Sequence, residues 1–245
     1  MSIADKLLTI AENARKLFDA GKKSEYDKFW DSYQMNGKRT YYDAAFGSMN
    51  SAYSEGGKIW TDDTFYPKYD IIAKNVSNMF CRSEITNIKQ RLIECGISWI
   101  DNATSLYYAF SHAKTSHIPD LSNTAKTNIQ NAFRENENLV WIDGIRIAES
   151  CTVTSAFNNC HNLEHVIFYG TIGNSLSLNV SSKLDKASIT SAINILSTTS
   201  GKTLTLSKSA VNNAFETAEG LADGTTSTEW ATLIADKSNW TISLV

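Results

Sequence analysis

The chain has 245 residues, 42% of them hydrophobic, and a formal net charge of −3 at pH 7. This size and composition support one domain with a substantial core and an appendage. The small negative charge, with basic residues scattered along the chain, gives no electrostatic basis for binding nucleic acid. No apolar run approaches the roughly 18 residues of a transmembrane helix, so we expect no membrane insertion.

The first 35 residues are predicted to be a helical attachment or oligomerisation segment. A helix over 3–20 carries apolar residues at alternating steps of four and three. These residues are Ile3, Leu7, Ile10, Ala14 and Leu17. Such a seam is typical of a coiled coil between protomers, in a homotrimer or another homo-oligomer, although the helix could equally pack on its own domain. Charged residues interrupt the first apolar segment, so we expect no signal peptide. A second helix over 24–34 has an aromatic stripe that predicts a buried face.

Residues 36–75 are rich in glycine, serine, aspartate and tyrosine, and they are predicted to form an entry loop and an N-terminal cap. The units at the ends of a repeat array are expected to be irregular, because one of their faces meets water.

Residues 76–181 contain a repeated pattern. Its two clear copies are Ala132, Phe133, Leu139 and Ile142, and then Ala156, Phe157, Leu163 and Val166. Fainter copies follow Phe80 and Phe110, so the four phenylalanines are 30, 23 and 24 residues apart. A period in the low twenties predicts a leucine-rich solenoid of the α/β repeat class, in which each unit is stabilised by its neighbours. We therefore expect the phenylalanines to stack as successive rungs.

The outward positions of the predicted strands are the candidate binding face. Leu139, Ile142, Leu163 and Val166 should face the core of one parallel ladder. The residues between them point outward and are candidate contacts for a ligand or partner: Trp141, Asp143, His165 and Ile167. An outward tryptophan can anchor such a contact. The alternative is that Trp141 lies beneath the entry loop or a neighbouring protomer.

Residues 182–245 are predicted to form a C-terminal α/β cap. Helices are expected over 182–197, 207–216 and 228–237, strands over 203–206 and 240–244, and a glycine-rich loop over 220–226. We expect the last strand to cover the final open edge of the ladder, which would otherwise invite aggregation.

No catalytic, cofactor or metal site is predicted. The run Ser200–Thr203 resembles the end of a phosphate-binding loop but lacks its first glycine and its following helix. The four histidines, His112, His117, His161 and His165, are interpreted as surface residues with no metal-binding surroundings. The four cysteines are interpreted as reduced structural thiols. We therefore predict that the protein is not an enzyme. An enzyme whose carboxylates meet only in space is the alternative.

The sequence pattern of the repeat resembles that of BspA-type leucine-rich repeats over residues 76 to 170. The pattern consists of an Ala-Phe pair, a polar turn and then Leu-x-x-Ile/Val. That family is a binding and adhesion scaffold with no common chemistry. Residues 9–23, T-I-A-E-N-A-R-K-L-F-D-A-G-K-K, resemble a leader of structural proteins from phages and prophages of gut Firmicutes.

Together the two resemblances imply a virion-associated protein of the tail or fibre type whose repeat face binds a host surface protein or glycan. It would be found in the virion, or in the cytoplasm before assembly. The alternative is a bacterial leucine-rich-repeat module that binds a protein partner and is not part of a virion.

Overall fold

A computed structural model describes residues 76–94, 99–215 and 227–245, together with Glu12. The seam from Ile3 to Leu17, the second predicted helix, the entry region 36–75 and the loop 220–226 lie outside the described residues. The strands are β1 His117–Ile118, β2 Leu121–Asn128, β3 Trp141–Thr152, β4 His165–Gly170, β5 Leu176–Leu178, β6 Lys202–Leu206 and β7 Trp240–Leu244. The helices are α1 Ile88–Glu94, α2 Lys186–Asn194, α3 Lys208–Ala214 and α4 Thr228–Ile234, with a short 3-10 helix at Trp99–Asn102. None of the described helices is long and apolar enough to cross a membrane.

The strands wind into a parallel β-solenoid of about four turns. In the first sheet, β3 is central. Strands β1 and β2 pair with it in parallel as parts of the preceding turn, and β4 pairs with it in parallel as the next. A second sheet has the order β5-β6-β7 and is also parallel. The expectation of parallel strands stacked turn upon turn is therefore confirmed.

The repeat phenylalanines form a continuous stack through the core. Ring centroids are 5.5 Å apart for Phe80 and Phe110, 5.6 Å for Phe110 and Phe133, and 5.1 Å for Phe133 and Phe157. The planes of these neighbours are within 24° of parallel. All four side chains are at most 1% exposed. The prediction that they are successive rungs is confirmed.

Each phenylalanine sits in a turn whose backbone bonds to the next turn. The residues two before and two after each phenylalanine have left-handed φ angles of 53° to 60°. They are Asn78, Arg82, Tyr108, His112, Asn131, Glu135, Ser155 and Asn159. The N–H of Phe110 donates to the carbonyl of Ala132 at 2.7 Å, and that of Phe133 to Ala156 at 3.0 Å. Intervening N–H groups bond three residues back within their own turn, as from Arg134 to Asn131. The alternation pairs buried backbone groups in a segment that is neither helix nor strand.

The predicted core positions are buried, but the strands are longer than expected. Leu139 and Leu163 are fully buried in the turns that lead into β3 and β4. Ile142 and Val166 lie opposite each other within the sheet and are also fully buried. Strand β3 continues to Thr152, so the sheet extends well beyond the Leu-x-x-Ile segment.

Helix α2 covers the outer edge of β4. The N–H of Val166 donates to Ser188 Oγ at 2.8 Å, and the N–H of Phe168 donates to Ser191 Oγ at 3.1 Å. The two serine hydroxyls accept the hydrogen bonds that the carbonyls of a further strand would otherwise accept. Helix α2 thus covers the edge of β4, which could otherwise pair with another chain. Strand β7 has the predicted bounds but pairs with β6 in the second sheet. It does not cover the edge of the first sheet.

The three described cysteines, Cys81, Cys151 and Cys160, are reduced and buried, as predicted. Cys95 lies outside the described residues. Burial raises the pKa of the Cys160 thiol to about 12, and its Sγ donates to the carbonyl of Phe133 at 3.0 Å. These contacts give Cys160 a structural role in joining consecutive turns.

Candidate functional site

The outward-facing side chains of the first sheet form one surface, here called the outer face. Its members are His117, Trp141, Asp143, Arg146, His165, Ile167 and Tyr169. The alternation of strand side chains separates them from the buried residues between them. Trp141 and Tyr169 are 37% and 41% exposed. All four predicted contact residues, Trp141, Asp143, His165 and Ile167, lie on this face.

Three aromatic rings follow one another across the outer face. Trp141 pairs in register with His117 on one side and with His165 on the other. The His165 ring is stacked on the indole at a centroid distance of 3.9 Å and an angle of 14°, whereas His117 is tilted by 47° at 6.1 Å. Because His165 covers one face of the indole, Trp141 offers a ligand its edge and its partly covered second face.

Both histidines are held by carboxylates. His117 Nε2 lies 2.8 Å from Asp143 Oδ1, and Lys89 Nζ lies 2.8 Å from Asp143 Oδ2. Burial alone would raise the pKa of Asp143, but the bonds from Lys89 and His117 outweigh it, and the pKa lies below its usual value. His165 Nδ1 lies 2.6 Å from Asp185 Oδ2. His117 and His165 lie on the surface, as interpreted, and each is also hydrogen-bonded to a carboxylate that is distant in sequence.

Asp185 also caps helix α2, so it fixes the position of His165. Its Oδ1 accepts the Ser188 N–H at 2.8 Å and the Ser188 hydroxyl at 2.6 Å. Burial would raise the pKa of Asp185, but the hydrogen bonds from His165 and Ser188 lower it below its usual value. A histidine whose Nδ1 is held by a carboxylate is an arrangement that general bases use. In the described part of the chain, no hydroxyl or thiol is hydrogen-bonded to His165.

A second cluster on the outer face was not predicted. The Arg146 guanidinium lies 5.6 Å from the centroid of the Tyr169 ring, and Arg146 Nε donates to the carbonyl of Ser122 at 2.6 Å. Asp120 accepts the N–H and the hydroxyl of Ser122, each at 2.9 Å. These side chains meet over Gly144, where a Cβ would lie 2.8 Å from Asp120 Oδ1 and 2.9 Å from Tyr169 Cε2.

A local irregularity in the sheet determines which residues reach this cluster. The register between β3 and β4 shifts between Ile142 and Ile145, so Asp143 and Gly144 lie opposite Ile167. Arg146 then pairs with Tyr169. The sequence offered one indication of these residues, namely the alternation of outward and buried side chains continued past Ile142. The extra residue in β3 between Ile142 and Ile145 shifts this alternation by one position, so simple continuation predicts the wrong residues.

An open groove of about 590 Å³ lies where the two sheets meet. It is lined by Glu149, Ser150, Gly173, Asn174, Thr199 and Lys202. Lys202 Nζ bonds Asn174 Oδ1 at 3.3 Å. The run Ser200–Thr203, rejected as a phosphate-binding loop, leads into strand β6 and not into a helix.

Among the described residues, no group of three or more histidine, cysteine, aspartate or glutamate side chains is placed to hold a metal ion. Comparison of the chain with protein-family models, with curated proteins and with solved structures found no match. The geometry of the outer face is therefore the basis for assigning a function.

Proposed function

We propose that the protein is a non-enzymatic binding scaffold whose outer face contacts a ligand on a host cell surface. The observation that carries this proposal is that exposed aromatic and charged side chains are held in fixed positions on one side of the first sheet. Trp141 is stacked on His165, and Arg146 is bonded to the backbone of β2. Side chains that are already ordered lose little entropy when a ligand binds, so more of the contact energy becomes affinity.

The same proposal includes the type of repeat that forms the solenoid and the particle in which the protein is found. The solenoid is of the BspA-like leucine-rich type with an α/β cap, and the protein is a tail or fibre component of a phage or prophage. The leader-like residues 9–23 and the seam from Ile3 to Leu17 support this setting, with the seam joining protomers. Light scattering on the full chain tests it. A monomer that does not associate with phage structural proteins would contradict the virion setting and favour a bacterial protein-interaction module.

Binding of the labelled full-length chain to intact cells from a panel of gut Firmicutes tests the role of the outer face. Ile167→Glu places a charge at the centre of this face, whereas Val245→Glu places one at an exposed position after β7. We expect wild type and Val245→Glu to bind at least one strain equally, and Ile167→Glu to bind it about tenfold or more weakly. Circular dichroism confirms that both variants are folded. Equal binding by both variants would refute the assignment of the outer face.

A further inference from the structure

We propose that the cluster formed by Asp120, Ser122, Gly144, Arg146 and Tyr169 is a binding site for a neutral oligosaccharide. This inference rests on the proposed function, because it names the class of ligand that the outer face receives and the residues that hold it. None of these five residues was among the contacts predicted from the sequence.

The Tyr169 ring is the apolar surface of the site. Tyr169 is 41% exposed, and its ring atom Cε2 lies so close to the backbone that a methyl group at Gly144 would be 2.9 Å from it. The glycine therefore lets the aromatic ring lie close against the sheet. Because the Arg146 guanidinium lies over one face of the ring, a sugar would pack its weakly positive C–H groups against the exposed part of the ring that the guanidinium leaves free.

Arg146 and Asp120 supply the polar contacts beside this ring. Both are anchored to Ser122, Arg146 through the carbonyl at 2.6 Å and Asp120 through the N–H and hydroxyl at 2.9 Å. The guanidinium has five N–H donors and the carboxylate about four acceptor positions, so each retains capacity beyond these bonds. A sugar hydroxyl both donates and accepts, and it can therefore bond to Asp120 and to Arg146 at the same time.

The balance of charge and apolar surface favours a neutral saccharide over other ligands. The positive charge of Arg146 and the negative charge of Asp120 offset each other, so the cluster has no net charge to attract an ion. The large exposed apolar side chains of the described residues are Ile93, Trp141, Tyr169 and Val245. The outer face contains two of them, which is less apolar surface than the core of a protein interface usually has.

The spacing of the two exposed aromatic residues indicates a ligand of several sugar rings. Tyr169 is four residues beyond His165, the register partner of Trp141. Four residues along a strand span roughly 13 Å. An oligosaccharide lying along the strands can contact Tyr169 and the edge of Trp141 together, whereas a monosaccharide reaches one of them.

A glycan array holding neutral and acidic oligosaccharides, followed by calorimetry with the strongest neutral binder, tests the proposal on the full chain. We expect Tyr169→Ala to weaken binding about tenfold or more, because it removes the ring. Arg146→Met keeps the aliphatic stem and loses the donors, and we expect a several-fold loss. Gly144→Ala should also weaken binding by displacing Tyr169. Val245→Ala, a truncation of an exposed apolar residue away from the outer face, should bind as wild type does.

Three results would overturn the saccharide site: no neutral oligosaccharide is bound, acidic ones are bound more tightly, or Tyr169→Ala binds as wild type does. These outcomes are separable from failure of the proposed function. In one such outcome, wild type binds the cells, Ile167→Glu does not, and pretreating the cells with protease abolishes the binding of wild type. The outer face then binds a protein, and the saccharide assignment is wrong. The assignment is supported if wild type binds a neutral oligosaccharide, Tyr169→Ala does not bind it, and Arg146→Met binds it more weakly.

Discussion

Replacing Phe133 with leucine tests whether the phenylalanine stack holds consecutive turns together. Phe133 is fully buried between Phe110, at 5.6 Å, and Phe157, at 5.1 Å. Leucine keeps most of the apolar contact but removes both ring pairs. Each aromatic pair contributes about 0.5–1.5 kcal/mol beyond its buried area, so Phe133→Leu should lower the free energy of unfolding by about 1–3 kcal/mol. Phe133→Ala also opens a cavity, and it should cost about 3–5 kcal/mol.

Urea unfolding followed by circular dichroism measures these differences, and double-mutant cycles isolate the ring pairs. The cycle of Phe133→Leu with Phe157→Leu should give a coupling energy of about 0.5–1.5 kcal/mol. The control is Phe215→Leu, because Phe215 is also buried but packs against Trp230 in the C-terminal region. Its cycle with Phe133→Leu should be additive within about 0.5 kcal/mol. If the Phe133–Phe157 cycle were equally additive, the rings would be neighbours without being coupled, and the reasoning would fail.

Three further predictions concern the way the turns join. Gly173→Ala would place a Cβ 2.2 Å from the carbonyl oxygen of Glu149, so urea unfolding should show a loss of about 1–3 kcal/mol as the backbone shifts. Ser188→Ala leaves the buried N–H of Val166 without its 2.8 Å acceptor and should cost about 1–3 kcal/mol in the same assay. Hydrogen bonds in the folded state lower the pKa of Asp185. The ionised carboxylate therefore contributes its full stabilisation at pH values above the unfolded-state pKa of about 3.9, and this stabilisation is lost as the pH falls through the lower folded-state pKa. Stability measured between pH 5 and pH 3 should therefore fall more steeply for wild type than for Asp185→Asn, in which asparagine preserves the helix cap; equal slopes would contradict the assignment.

The rungs of the solenoid were predictable because each unit repeats the same local pattern. An Ala-Phe pair followed at a fixed distance by a leucine identifies Phe133 and Phe157 as equivalent, and equivalent positions of a solenoid stack. The C-terminal elements were also predictable, because their signals are local. Helix α4 begins at the predicted Thr228, where Ser227 caps it through the Trp230 N–H at 3.0 Å, and β7 has the predicted bounds.

The shape of the turns was not predictable. Left-handed backbone conformations are usually recognisable in a sequence because glycine or asparagine occupies them. Asparagine occupies three of the eight left-handed positions, but the other five are Arg82, Tyr108, His112, Glu135 and Ser155. Hydrogen bonds to the next turn impose it, and they exist only once the neighbouring unit is in place. The conformation is therefore a property of the stack and not of the local sequence.

The polar contacts of the outer face were missed for a related reason. His117 bonds to Asp143, 26 residues away, and His165 to Asp185, 20 residues away. One solenoid turn brings such pairs side by side, but the offset between donor and acceptor differs from one pair to the other. The spacing of the phenylalanines therefore indicates which turns are adjacent without indicating which polar side chains meet.

The helices beside the first sheet determine how a ligand can lie on the outer face. Lys89 of α1 bonds to Asp143 at one side, and Asp185 at the start of α2 bonds to His165 at the other. The face between them is three strands wide, which is roughly 10 Å at the spacing of strands in a sheet. Along the strands it continues from Trp141 past Arg146. A ligand longer than this width must therefore run parallel to the strands, in the direction that joins the edge of Trp141 to the ring of Tyr169.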